Sequence, residues 1–124
     1  MTKTEIINLP TSSLAYLGDS VLELMVRQKL ISEGIGGIGE INAKALTYVT
    51  AVAQSEAFAK IEHMLTDDES SVYKRGRNNT HSAPKSATHA QYSRATGFEC
   101  LFAYLHLMGE TERLKELFAA AYAE

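Results

Sequence analysis

Two acidic residues stand where acids are costly. Glu99 lies in a stretch, residues 98–108, whose side chains are apolar almost all the way round a helix, the pattern of a helix buried in a core. Its neighbours at helical spacing are Ala95, Thr96, Phe102 and Ala103, with Tyr92 and His106 further along the same stripe. An ionised carboxylate in such surroundings costs on the order of several kcal/mol unless a cation, a donor or water compensates it. An arginine across the core, a path to solvent and a metal ion would each serve. Asp19 follows Gly18 in the middle of another amphipathic run, where a glycine costs about 0.5–1 kcal/mol relative to alanine and so implies that space is needed. The helical wheel puts Asp19 between the apolar arc and a polar stripe of Tyr16, Ser20, Glu23 and Arg27, where a carboxylate can also be merely solvated. Two acids at the edges of two buried helices are the raw material of a magnesium site, because a hard cation takes oxygen ligands and keeps several waters. Their separation in sequence leaves open whether they meet.

A second kind of chemistry is suggested by charge. Between Glu69 and Glu99 there is no acidic residue, while Lys74, Arg75, Arg77, Lys85 and Arg94 all fall in that interval. Such a segment suits RNA phosphates, with Asn78 adding hydrogen-bonding capacity, and binding of this type weakens with salt. The alternative is a solvated helix end, since basic side chains in a last turn also complement the helix dipole. The four histidines, His63, His81, His89 and His106, show no metal-ligand spacing, and His106 reads as a hydrogen-bonded core residue. Cys100, on an apolar face, reads as structural, and Tyr92 and Tyr104 read as packing groups.

The elements that must position these residues are helices. Only Pro10 and Pro84 interrupt the chain, so long stretches are free to be helical and the fold class is all-α. A first helix is expected over residues 11–31, from Leu14, Leu17, Val21, Leu24 and Met25 at helical spacing, with Ser12 or Ser13 as its cap. Gly34, Gly36, Gly37 and Gly39 make a connection, and residues 40–65 form one broken helix or two successive ones with an architectural role. Thr66 and Glu69 make a capping box for a short helix to residue 77, and the polar, proline-containing NNTHSAPKSA at 78–87 is an exposed loop. A long helix over 88–107, ended by Gly109, and an amphipathic one over 111–122 complete the chain.

At 124 residues one domain, 1–124, is expected. A net charge of −3 with a pI near 5.8 excludes a uniformly basic nucleic-acid binder, so any RNA contact must be local. One cysteine allows no internal disulfide and no multi-cysteine zinc site, which fits a cytoplasmic protein. The first ten residues lack a signal core or transit-peptide character and no apolar run approaches 18 residues, so neither export nor membrane insertion is expected.

LAYLGDSVLEL at 14–24 resembles the ribonuclease III signature helix, Leu-Gly-Asp followed by a small residue and an apolar run. KRGRN at 74–78, Pro84-Lys85, Tyr92 and ATGFECLFAYLHL at 95–107 resemble, in order and spacing, the Mini-ribonuclease III family. The resemblance covers most of the chain. It implies a ribonuclease III endonuclease-domain-like helical fold, a homodimer, magnesium, double-stranded RNA as substrate and maturation of the large-subunit (23S) ribosomal RNA precursor, a ribosomal protein being a conceivable helper. It also assigns catalytic and metal-holding roles to Asp19 and Glu99 and products with a 5′-phosphate and a 3′-hydroxyl, while the acid-free segment carries the expected RNA-binding residues, Lys74, Arg75, Arg77, Asn78 and Lys85. Full-length ribonuclease III enzymes carry further acids four positions before the first and three before the second, where this chain has Ala15 and Thr96. The separate double-stranded-RNA-binding domain of those enzymes is not expected here. Because two carboxylates are missing, a non-catalytic RNA-binding or protein-interaction module is the competing reading.

Overall fold

A computed structural model describes residues 1–79 and 87–123. The described residues form helices joined by short turns, with no strand among them. In chain order they are α1 (Lys3–Ile7), α2 (Thr11–Ser32), α3 (Ile38–Val49), α4 (Ala51–Ile61), a 3-10 turn (Glu62–Met64), α5 (Asp67–Asn78), α6 (His89–Leu107) and α7 (Thr111–Ala121).

Local chemistry explains most boundaries. Thr66 and Glu69 form the expected capping box, the Glu69 amide donating to Thr66 Oγ1 (3.2 Å) and the Thr66 amide to Glu69 Oε1 (2.9 Å). A matching box of Thr88 and Gln91 opens α6, and Gly109, at φ 73°, follows its end in the left-handed conformation that glycine tolerates. Residues 40–65 are two helices and not one: Thr50 turns extended between α3 and α4, and its hydroxyl accepts from the Ala53 amide (3.2 Å). One expectation is corrected. Neither Ser12 nor Ser13 caps α2; Pro10 occupies the cap position without a side-chain bond, its carbonyl accepting from the Ser13 and Leu14 amides. Helix α1 has no counterpart in the sequence pattern because five residues are too few to show a period, yet a Thr2–Glu5 capping box holds it.

Helix α6 is the axis of the molecule, and α2, α4 and α5 pack around it. It buries Ser93, Ala95, Gly97, Phe98 and the whole run from Cys100 to Leu105. Phe58 of α4 stacks on Tyr73 of α5 with ring centroids 3.7 Å apart, and Phe98 packs against Phe102. His106 lies on the outer surface, so the expected core histidine is an exposed one: α6 is close to its end there and its last turn emerges from the core. Cys100 is buried as expected, its Sγ donating to the Thr11 carbonyl (3.4 Å).

Glycines set how closely the helices approach. A Cβ on Gly18 of α2 would lie 1.8 Å from the Glu99 carbonyl oxygen, so only glycine lets these two backbones touch. A Cβ on Gly76 would sit 2.7 Å from Cys100 Sγ, and one on Gly97 2.6 Å from the Tyr73 ring, which makes α5 and α6 equally close. At the far end, Arg113 of α7 grips buried Glu69 with two bonds (Nε to Oε2, 2.9 Å; Nη2 to Oε1, 2.8 Å) and the Met64 carbonyl with a third. Burial alone would raise the Glu69 carboxyl, but Arg113 and the Thr66 amide outweigh it and hold the group below the usual carboxylate range.

Candidate active site

Gly18 brings Asp19 to Glu99. With α2 pressed against α6 at the Glu99 carbonyl, the next residue of α2 carries its carboxylate to the Glu99 side chain. Asp19 is exposed and lines a shallow surface groove with Ser20, Glu23, Leu24 and Arg27, whereas Glu99 is set deeper. Desolvation pushes the Glu99 carboxyl up to about 8, helped by the negative charge of Asp19 close beside it. No ion pair to either carboxylate exists among the described residues, so the arginine that could have answered Glu99 across the core is absent there; Arg27, the nearest cation on the α2 stripe, pairs with Glu23 (2.7 Å).

Gln54 of α4 completes the inner side of this pair. Its side chain is 2% exposed, and its amide nitrogen has no hydrogen-bond partner among the described residues. It lies beside the Glu99 carboxyl and favours the ionised form, acting against Asp19 and burial without seating a full hydrogen bond. Sequence reasoning misses Gln54 because the alanine-rich 40–65 segment looks architectural. A signal is there: Gln54, Ala57, Phe58 and Ile61 share one stripe at helical spacing, and an amide on an otherwise apolar stripe asks for a partner.

The positions where full-length ribonuclease III enzymes place extra acids add no ligand. Ala15 has no polar side chain, and the Thr96 hydroxyl donates back to the Tyr92 carbonyl of its own helix (3.0 Å). Among the described residues no group of three or more His, Cys, Asp or Glu side chains converges. The donor set is therefore two carboxylates, of which the inner one is destabilised when ionised. That chemistry fits a hard divalent cation, which binds oxygen ligands, completes its shell with water and offsets the repulsion between the two acids.

A model of the ribonuclease III domain matches residues 12–110, a span that contains both acids and the close contacts of α2, α5 and α6 at Gly18, Gly76 and Gly97. The chain belongs to the ribonuclease III family. Among curated relatives, Mini-ribonuclease 3 of Symbiobacterium thermophilum is 44% identical, over 93% of this chain and 89% of that one. Mini-ribonuclease 3 of Enterococcus faecalis is 42% identical over 85% and 82%, and that of a Thermoanaerobacter species 36% identical over 94% and 83%. A crystal structure of a Fusobacterium nucleatum protein superposes with a TM-score of 0.86 at 26% identity, over 94% of this chain and 96% of that one. The all-α ribonuclease III fold and the Mini-ribonuclease III membership read from the sequence are thus correct, and the family's activity makes this chain an endoribonuclease, a hydrolase of RNA phosphodiesters.

The other candidate residues have distinct placements. Gly76 seats the last turn of α5 against Gly97 and Cys100, on either side of Glu99 in the sequence, so the KRGRN segment lies along the same part of α6. Lys74 and Asn78 are exposed on it, and Arg77 lies over the Tyr73 ring (5.7 Å) while its Nε donates to Asn78 Oδ1 (3.2 Å). Arg75 is only partly exposed and donates to the carbonyls of Ile7 and Leu9, tying the α1–α2 connection to α5. Lys85 falls outside the described residues. No described helix is long and apolar enough to cross a membrane.

Proposed function

We propose that this endoribonuclease cuts double-stranded RNA with magnesium held by Asp19 and Glu99, and that it acts as a homodimer. The observation that carries the reading is the meeting of two carboxylates, unpaired with any described cation, across a contact that only a glycine permits. Bound magnesium would supply Lewis-acid activation of the scissile phosphate and of the attacking water. Asp19, at the groove, and Glu99, behind it, hold the ion; burial of Glu99 limits its competition with solvent for that charge. No side-chain nucleophile is needed, and hydrolysis leaves a 5′-phosphate and a 3′-hydroxyl.

Lys74, Arg77, Asn78 and Lys85 bind phosphates of the duplex without reading bases. Arg75 belongs to the same basic segment, with its guanidinium engaged on the Ile7 and Leu9 carbonyls. A dimer is supported by large apolar side chains left on the surface: Tyr16, Leu24 and Ile31 on α2, and Ile38 and Leu46 on α3. Two sites related by a dimer axis then cut both strands. The proposed biological substrate is the 23S ribosomal RNA precursor, in the cytoplasm. The test is incubation of a structured duplex with and without magnesium, read as product lengths and end chemistry, beside Asp19→Asn and Glu99→Gln. Full turnover by either variant would remove that residue from the site.

A further inference from the structure

Gln54 is the one described residue whose buried side-chain polar atom lacks a hydrogen-bond partner, and it is buried against the carboxyl on which the proposed metal site depends. A folded protein rarely retains an unpaired buried amide; leaving one unsatisfied costs roughly 1–3 kcal/mol. Its helix neighbours do not share the problem. Ser55, next in sequence and also buried, accepts from Arg94 Nη1 (3.3 Å), and Ala57, Phe58 and Ile61 have no side-chain polar atoms to satisfy. The amide is therefore a buried donor held in reserve beside the Glu99 carboxyl, and Gln54 is not among the residues that line the groove with Asp19.

We propose that Gln54 is a positioning residue of the active site: its Nε2 donates to the Glu99 carboxylate when a cation engages that group, and thereby fixes the carboxylate's orientation beside Asp19. The inference rests on the reading of Asp19 and Glu99 as metal ligands. A carboxylate ligand without a second partner is free to rotate, and partners of this kind typically change metal affinity or activity by roughly 10–100-fold when removed. Without a cation the amide lies beside the Glu99 carboxyl but makes no bond of full geometry to it. Gln54 touches neither RNA nor the scissile bond; it acts through Glu99.

The experiment uses the full chain and manganese as the probe ion. Gln54→Met keeps the length and volume of the side chain and removes the donor. It is expected to weaken manganese binding, followed by paramagnetic resonance or calorimetry, by at least roughly tenfold. With saturating metal, kcat on a duplex should fall while KM for the duplex stays within about twofold, and the melting temperature of the metal-free protein should hold or rise because an unpaired amide has left the core. A residue that only fills space would instead lower the melting temperature and leave manganese affinity unchanged. In the wild-type protein the side-chain amide signals of Gln54 in a nitrogen-15 spectrum should move on adding magnesium, and should not move in Glu99→Gln. Unchanged manganese affinity in Gln54→Met, or Gln54 signals unmoved by magnesium in the wild type, overturns the inference while the Asp19–Glu99 site stands. Equal manganese binding by wild type and Glu99→Gln overturns the site itself, and this inference with it.

Discussion

At Glu99 the carboxyl is neutral to a higher pH than an ordinary acid because burial and the charge of Asp19 both oppose ionisation. The consequence for stability has a definite sign. Below about pH 4.5 the group is protonated folded and unfolded; between there and about 8 the unfolded chain ionises it more readily, so the metal-free protein loses stability as pH rises through that window and then levels off. Glu99→Gln should remove this loss. We expect the variant to be more stable than wild type by on the order of a few kcal/mol at pH 8, and by little near pH 4.5, in metal-free denaturant titrations. Equal pH profiles for the two proteins would show that Glu99 is not the titrating group. Magnesium should act in the same window, stabilising wild type more strongly as pH rises while leaving Glu99→Gln almost unaffected. Cleavage should be lost in Asp19→Asn and Glu99→Gln alike, with helix content retained, since each exchanges a charged oxygen ligand for a near-isosteric neutral one.

Between helices, closeness is what places the acids. Gly18→Ala would put a methyl carbon 1.8 Å from the Glu99 carbonyl oxygen, and backbone cannot swing aside as a side chain does. The variant should lose about 3 kcal/mol or more and, where it still folds, should cleave poorly because Asp19 is carried away from Glu99. Normal stability and turnover would mean that α2 and α6 are not in contact there. The ion pair of Glu69 and Arg113 works at the same scale, tying the start of α5 to α7. Its carboxylate is depressed below the ordinary value of 4.5, so its contribution is present above that pH and lost as pH falls through the folded value. Glu69→Gln should cost about 2 kcal/mol at pH 7 and progressively less in acid, because Arg113 then loses its buried counter-ion and keeps only the exposed Glu116. Arg75 illustrates a different use of charge: by donating to the Ile7 and Leu9 carbonyls it fastens the short α1 to the body of the protein.

For the whole molecule, the surface carries two features that single helices do not explain. Tyr16, 82% exposed, and Ile38, 77% exposed, are large apolar side chains on neighbouring helices that water does not favour. Leu24→Glu, on the same helix as Tyr16, should shift a dimer toward monomer in sedimentation at micromolar concentration and lower duplex cleavage, whereas a variant that still sediments as a dimer would place the interface elsewhere. Along KRGRN, Lys74→Ala and Arg77→Ala should weaken duplex binding across sequences, each making the logarithmic salt dependence shallower by roughly one unit. Arg77→Ala carries an extra effect through its lost contact with Tyr73, visible as a lower melting temperature. Unaltered affinity and salt slope in both would make the segment a solvated surface.

The helices themselves are written locally. Capping residues at Thr66 and Thr88, the breaks at Pro10 and Gly109, and an apolar period are properties of a few adjacent residues, so α2, α5, α6 and α7 are legible in the sequence alone, as is the family from its Leu-Gly-Asp and Thr-Gly-Phe-Glu motifs. Glu99 is conspicuous for the same reason, an acid on an apolar helix. What a helix touches is decided by residues far away in the chain. The sequence says that Gly18 needs room but not that the room is for the Glu99 backbone. Nor does it show that Thr96 bonds to its own helix, that Arg75 serves two carbonyls of a neighbouring turn, or that α4 brings an unpaired amide to the acid beside Asp19. Those facts exist only once α2, α4 and α5 have closed on α6, because burial and hydrogen-bond partnership are relations between helices, set by packing and not by the residues' own identity.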